Sequence, residues 1–311
     1  KIVLKPGWTF HDGTAVTAAS YVDAWNWAAA CQNGAANQSF FGPSGANIAG
    51  YEQTAGSASA AGKVTCPDQP VPLTGLSVTD DLSFTITLAE PVAILESILG
   101  YWAFAPMPQT FFKDPEVFAA DPIGNGPFEF ATRTVGTDIR MSAFGNYQGT
   151  DRAQVQDIEW RVYDDLDRAY EDLRAGRLDL LTRMPIDVLE GARWQEELGE
   201  GNFLLKPAGL FTSLTFPLYD KRFDAPELRA ALSRAVDRRS IVNEVWHDTV
   251  IPADAWAPPV VDGYEPGACG DTCVYDAAAA KDLFAKGGGF ASDLSIAFNE
   301  DGGHAAWVTA V

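Results

Sequence analysis

A chain of 311 residues is long enough for two domains, or for one with a sizeable core. Its net charge of −20, from 42 acidic against 22 basic residues, repels phosphate backbones and leaves no basic stripe, which excludes nucleic acid as a partner. Hydrophobic residues at 47% and charged residues at 21% fit a globular protein, and no apolar run reaches the roughly 18 to 20 residues that cross a bilayer.

In chain order, residues 1–5 read as a strand end, and "FHDGT" as a turn in which Asp12-Gly13 supplies the positive-φ position. Thr17 is placed to cap a helix, with Val16 and Tyr21 as a hydrophobic staple. Tyr21, Val22, Trp25 and Ala29 share one face at helical spacing, so that face is core. Residues 33–63, low in charge and rich in small side chains, read as loop with a short helix. "LTGLSVTDDLSFTITL" alternates around Asp80-Asp81 as a hairpin, and "PVAILESILGYW" reads as a short buried helix starting at its proline.

A second hairpin, "GPFEFATRTVGTDIRMSAF", turns at Gly136. "VQDIEWRVYDD" is a strand with Ile158, Trp160 and Val162 on one face. The amphipathic helix "DLDRAYEDLRAG" stops at Gly176 and feeds a strand, "RLDLL". A helix over 186–198 and one or two strands in "NFLLKPAGLFTSLTF" follow. Two helices meet at a corner, the first starting at Asp224 and Pro226 and the second restarting at Asp237. A third is capped by Asp276 and stopped by Gly287, and "LSIAFN" begins a strand. Hairpins and β-α-β units together give an α/β class with mixed sheets.

The four cysteines are Cys31, Cys66, Cys269 and Cys273. Each neighbouring pair closes a loop, which reads as two disulfides in an oxidising compartment. The alternative, half a zinc site at Cys269 and Cys273, lacks a second ligand pair nearby. His11, His247 and His304 have no i, i+4 pairing, so no metal site is expected. His11-Asp12 suggests a catalytic pair, but no Gly-x-Ser-x-Gly elbow accompanies it, and the turn alone explains Asp12-Gly13. "GSASAAGKV" at 56–64 imitates a phosphate loop with the wrong glycine spacing, and Val64 stands where a hydroxyl is needed. "GNGPF" lacks the third glycine of a dinucleotide fingerprint. The carboxylate pairs Asp80-Asp81 and Asp164-Asp165 sit in turn or cap positions.

In the opening stretch, Leu4, Gly7, Phe10, Asp12, Gly13, Val16 and Thr17 match a signature of the bacterial extracellular solute-binding proteins of family 5, the peptide- and nickel-class receptors of ABC transporters. "LTGLSVTDDLSFTITLAEP", "PIGNGPFEF", "IEWRVYDDLDRAYEDLRAGRLDLL", "RFDAPELRAALSRAVDRRSIVNEVW" and "YDAAAAKDLFAKGG" are similar, in order, to further motifs of that family. Pro217 departs from it, standing where asparagine is common after the hinge strand.

The resemblance implies an α/β, periplasmic-binding-protein-like class II fold of two lobes and an accessory domain. The chain is expected to be an internal piece, truncated at both ends. Residues 1–122 would form the accessory domain, 123–211 part of lobe I, and 212–311 the start of lobe II. The function implied is capture of an oligopeptide or similar small solute outside the membrane and delivery to ABC permease subunits, with no cofactor and no catalysis. An enzyme or sensor on the same scaffold, such as a hydrolase using His11, is the alternative. The protein would be a cell-surface lipoprotein or periplasmic, touching the membrane only through a lipid anchor on a preceding segment. Ligand contacts are expected at the lobe junction, from Thr182, Arg183 and Met184 and from Gly209, Leu210 and Phe211. Phe40 and Phe41 are further candidates.

Overall fold

The structure, a computed structural model, describes residues 1–58, 64–299 and 304–311. They fall into two units, Lys1–Val162 and Tyr163–Val311. That boundary lies inside the segment assigned to lobe I.

The first unit begins with β1 (Ile2–Val3) and the turn read from the sequence. Gly13 has φ 82°, and the Asp12 carboxylate accepts from the Thr14 amide at 2.9 Å and its hydroxyl at 2.6 Å. Helix α1 (Ala18–Ala29) then starts on a reciprocal cap. Thr17 accepts from the Ser20 amide, and the Ser20 hydroxyl accepts from the Thr17 amide at 3.2 Å. Two donors that a helix start leaves unpaired are thereby satisfied. Val22, Trp25 and Ala29 are buried as the spacing predicts, and Tyr21 is half-buried against Phe84 and Trp25.

After α1 the chain makes 3₁₀ turns at Cys31–Asn33 and Gln38–Phe41 and a short helix, α2 (Tyr51–Ala55). The strands β2 (Ser57–Ala58) and β3 (Val64–Thr65) pair antiparallel. Of the stretch that imitates a phosphate loop, residues 59–63 lie outside the described residues. Cys31 and Cys66 stand 5.4 Å apart at Cα, a disulfide distance, as do Cys269 and Cys273 at 5.6 Å.

The predicted hairpin is β4 (Leu76–Asp80) and β5 (Ser83–Ile86), with β1 added antiparallel on the other edge of β5. Phe84 on β5 meets Trp25, Phe41 and Phe104 in one aromatic core. The helix expected to start at Pro91 is instead α3 (Leu95–Leu99), and it is half-buried rather than buried. Leu95, Ile98 and Leu99 pack on the core, while Trp102 beyond it is 65% exposed. Helices α4 (Gln109–Lys113) and α5 (Pro115–Ala120) lead to a second sheet. It comprises β6 (Phe128–Thr134), β7 (Asp138–Ala143) and β8 (Asp157–Arg161), all antiparallel. Ile158 and Trp160 share the face predicted for them, opposite Met141 and Ile139. Trp160 and Val162 remain more than half exposed.

The second unit is helical among its described residues. Asp165 caps α6 (Leu166–Arg174), and Tyr170 leads a small core with Leu189 and Trp194. The helix predicted over 186–198 is broken. A 3₁₀ stretch (Ile186–Ala192) has non-helical backbone at Glu190 and Gly191, and α7 (Arg193–Leu198) restarts after it. Helices α8 (Pro226–Ala235), α9 (Arg238–Trp246) and α10 (Ala277–Lys286) lie where the motifs put them, with Asp237 and Asp276 as caps. A further helix, α11 (His304–Ala310), had no sequence expectation.

Three predicted strands are absent: "RLDLL", the "NFLLKPAGLFTSLTF" run and "LSIAFN" are neither helix nor strand. The physical reason is pairing. A strand exists through its ladder of bonds to a neighbour, and residues 203–216 make no backbone–backbone hydrogen bond among the described residues. The β-α-β unit read from 157–181 is accordingly not closed among those residues, and both three-stranded sheets are antiparallel throughout.

Candidate functional site

The candidate run Thr182–Met184 follows α6 through a turn built from local charge. Gly176 takes φ 69°, and Arg177 then reaches back to Asp172, at 2.6 and 2.9 Å. The Tyr163 hydroxyl donates to the same carboxylate at 2.8 Å. That bond first, and the Arg177 guanidinium second, hold the Asp172 carboxyl below the usual carboxylate range. Leu181 and Met184 pack against the Tyr170–Leu189–Trp194 core, while Thr182 and Arg183 are exposed. The run is therefore anchored at its two ends, with two adjacent polar side chains left to solvent between them.

Beneath it, the Tyr170 hydroxyl donates to Glu197 on α7 at 2.8 Å, and Arg174 Nε meets the same carboxylate at 3.3 Å. Burial first, then the bond to Glu197, pushes the Tyr170 hydroxyl up to about 12. Free tyrosine titrates near 10. A raised folded-state value means that the Tyr170 contribution is complete below about pH 10 and is lost as pH rises through about 12. We expect urea stability of the second unit to fall over that window, with Tyr170→Phe removing part of the fall. Equal slopes in wild type and variant would show that the Tyr170–Glu197 bond does not couple to folding.

Gly209, Leu210 and Phe211 form a second exposed run, with Leu210 83% exposed. No hydrogen bond or ring contact among the described residues joins it to Thr182–Met184. Phe40 and Phe41 lie in the other unit and part company there. Phe41 is fully buried between Trp25 and Phe104, a core residue with no face for a solute, which corrects its place among the candidates. Phe40 is half-buried and stacks on Tyr101 at 4.5 Å and 19°, with Trp102 next to Tyr101 at 5.3 Å. The sequence signal for that aromatic row was "GYW" itself, which was absorbed into a supposedly buried helix.

Two hollows open on the first unit. One of about 560 Å³ is lined by Pro43, Tyr51 and Glu52 among others, and one of about 180 Å³ by Leu4, Lys5, Trp8, Val16, Tyr21 and Asn125. Neither contains a predicted site residue. His11 is held by backbone: its Nε2 lies 3.0 Å from the Gly126 carbonyl and its Nδ1 accepts from the Gly124 amide at 3.2 Å. No cluster of three metal-ligating side chains is found among the described residues, and none of their helices is long and apolar enough to cross a membrane.

The family model for bacterial extracellular solute-binding proteins, family 5, middle region, matches residues 1–300. The oligopeptide-binding protein OppA of Bacillus subtilis is 24% identical over 322 residues, covering 99% of this chain and 56% of that protein. The glutathione-binding protein GsiB of Salmonella paratyphi A is 24% identical over 229 residues, covering 71% of this chain and 43% of that one. The solved structure of Burkholderia pseudomallei OppA superposes with a TM-score of 0.73 at 18% identity, over 92% of this chain and 55% of its own. That likeness shows the fold, of the periplasmic-binding-protein kind. The chain spans about half the length of the curated relatives it matches.

Proposed function

The chain belongs to the bacterial extracellular solute-binding proteins of family 5, and from that premise we propose that it is part of the substrate-binding component of an ABC importer. The observation that carries the reading is the family match across residues 1–300, on a fold like that of an oligopeptide-binding protein. The protein captures an oligopeptide or similar small solute outside the membrane and hands it to permease subunits, without catalysis. The similarity to proteins named for oligopeptides and glutathione supports a peptide or peptide-like solute. The commitment of both His11 ring nitrogens to backbone groups speaks against a hydrolase built on that residue.

In this reading residues 1–122 are the accessory domain, 123–211 belong to lobe I and 212–311 open lobe II. Thr182, Arg183, Met184, Gly209, Leu210 and Phe211 are the solute contacts of the second unit, and Phe40 is a separate candidate in the first. The location is periplasmic or at the cell surface on a lipid anchor, and Cys31–Cys66 and Cys269–Cys273 are bonded there.

Titration calorimetry of the complete gene product against di- to pentapeptides tests the assignment. Binding at about micromolar or tighter, near −8 kcal/mol, is the expected result. Silence against peptides, together with heat from a sugar or metal chelate, would move the solute class. Turnover of a peptide would overturn the transport reading.

A further inference from the structure

We propose that His11 is a proton-sensitive clasp between the turn that precedes α1 and the segment leading into β6. His11 lies in the turn inside a tight ribbon, in which Thr9 bridges Ala15 and Phe10 N–H donates to the Thr14 carbonyl at 2.8 Å. Three hydrogen bonds join it to residues more than a hundred positions away. Its amide donates to the Gly124 carbonyl at 2.9 Å, the Gly124 amide returns a bond to Nδ1 at 3.2 Å, and Nε2 meets the Gly126 carbonyl at 3.0 Å. The Phe144 ring, just past the end of β7, lies 4.7 Å from the imidazole. A Cβ on Gly124 would sit 3.2 Å from His11 Cε1, so a side chain there would press on the ring.

These partners fix the state of the ring. A carbonyl only accepts, so Nε2 must carry the hydrogen; an amide only donates, so Nδ1 must hold a lone pair. The clasp therefore takes one form of histidine, the neutral Nε2–H tautomer. A proton added at Nδ1 sets N–H against the Gly124 N–H, replacing a bond with a repulsion between two donors. The bond to Gly126 survives that change, so the clasp loosens on the Gly124 side first.

The charged neighbours do not compensate. Asp12, on the same turn, has its carboxylate engaged with Thr14, Gly124 and Gly126 meet the ring through backbone, and Phe144 is apolar. The segment so held is the covalent link between α5 and the sheet β6-β7-β8. Falling pH is thus coupled to freedom of that link, whichever solute is bound.

The test is amide exchange on the complete protein, with the ring read by nitrogen NMR. At about pH 7.5 the ring should be the Nε2–H tautomer. The protection of the Gly124 amide, corrected for intrinsic exchange, should fall by about tenfold or more between about pH 7.5 and about pH 5.5, while the Met141 amide in β7 holds steady. In His11→Phe, Gly124 protection should be low at both pH values. A smaller fall in the wild type, or an Nδ1–H tautomer, overturns the clasp, and either is readable even where the variant does not fold.

Discussion

Replacing Trp25 with alanine is expected to cost the first unit about 3–5 kcal/mol, enough to remove much of the stability of an ordinary domain. The side chain is 2% exposed, and besides Tyr21 on the same helix at 6.2 Å three phenylalanine rings crowd it: Phe104 at 5.2 Å and Phe84 at 5.5 Å, both edge-on, and Phe41 at 6.4 Å. Those three phenylalanines belong to different parts of the chain, so Trp25 is where α1, the 3₁₀ turn, β5 and the residues after α3 come together. Its indole N–H donates to the Phe104 carbonyl at 3.0 Å. Truncation therefore opens a cavity and also leaves a buried carbonyl without its donor. Trp25→Phe shrinks the first effect while keeping the second, since it retains an aromatic ring but loses the donor and part of the volume. That variant should lose about 1–3 kcal/mol. Urea unfolding read through the α1 and β5 amides measures both, and at an m-value of about 2 kcal/mol/M the alanine variant should unfold about 2 M earlier. An unchanged midpoint would mean that these four aromatic side chains are not a single packed unit.

What made Trp25 legible from sequence was its place in a repeating pattern. Thr17, the 3.6-residue spacing of Val22, Trp25 and Ala29, and Asp12-Gly13 each act over a few residues, so each could be read without knowing the rest. The same holds for both hairpins and for the caps Asp165, Asp237 and Asp276. The failures were non-local. "RLDLL" and "NFLLKPAGLFTSLTF" carry strand-like alternation, yet a strand needs a partner, and alternation says nothing of where that partner comes from. Phe40 and Phe41 are adjacent and chemically alike. Only the fold assigns one to the core and the other to a stack with Tyr101. His11 and Asp12 suggest a pair only as neighbours in sequence, whereas the partners of His11, Gly124 and Gly126, are far along the chain. For a solute site the sequence offers candidate positions but no convergence, because a site is a long-range arrangement and none of these candidates carries a local geometric constraint of its own.

Removing the Cys31–Cys66 bridge is expected to cost about 4 kcal/mol, against about 2 for Cys269–Cys273, because loop-closure entropy grows with the length of chain enclosed. The first pair is separated by 35 positions and the second by 4. The longer loop also carries Phe41, Ala46 and Ile48 into the core, so freeing its ends loosens the attachment of residues that Trp25 packs against. Local geometry is already committed to the closed form. Gly56 has φ 77°, and a Cβ there would stand 3.1 Å from the Cys31 sulfur and 2.5 Å from the Thr65 carbonyl, so a larger residue would press on the bridge from beneath. Non-reducing peptide mapping should recover the 31–66 and 269–273 pairs, and urea unfolding of Cys31→Ser/Cys66→Ser should show the larger loss, confined to the first unit. Four free thiols in protein exported to an oxidising compartment would refute the pairing. A double variant as stable as the oxidised wild type would show that the loop is already ordered when the rest of the unit unfolds, leaving the bridge no entropy to remove.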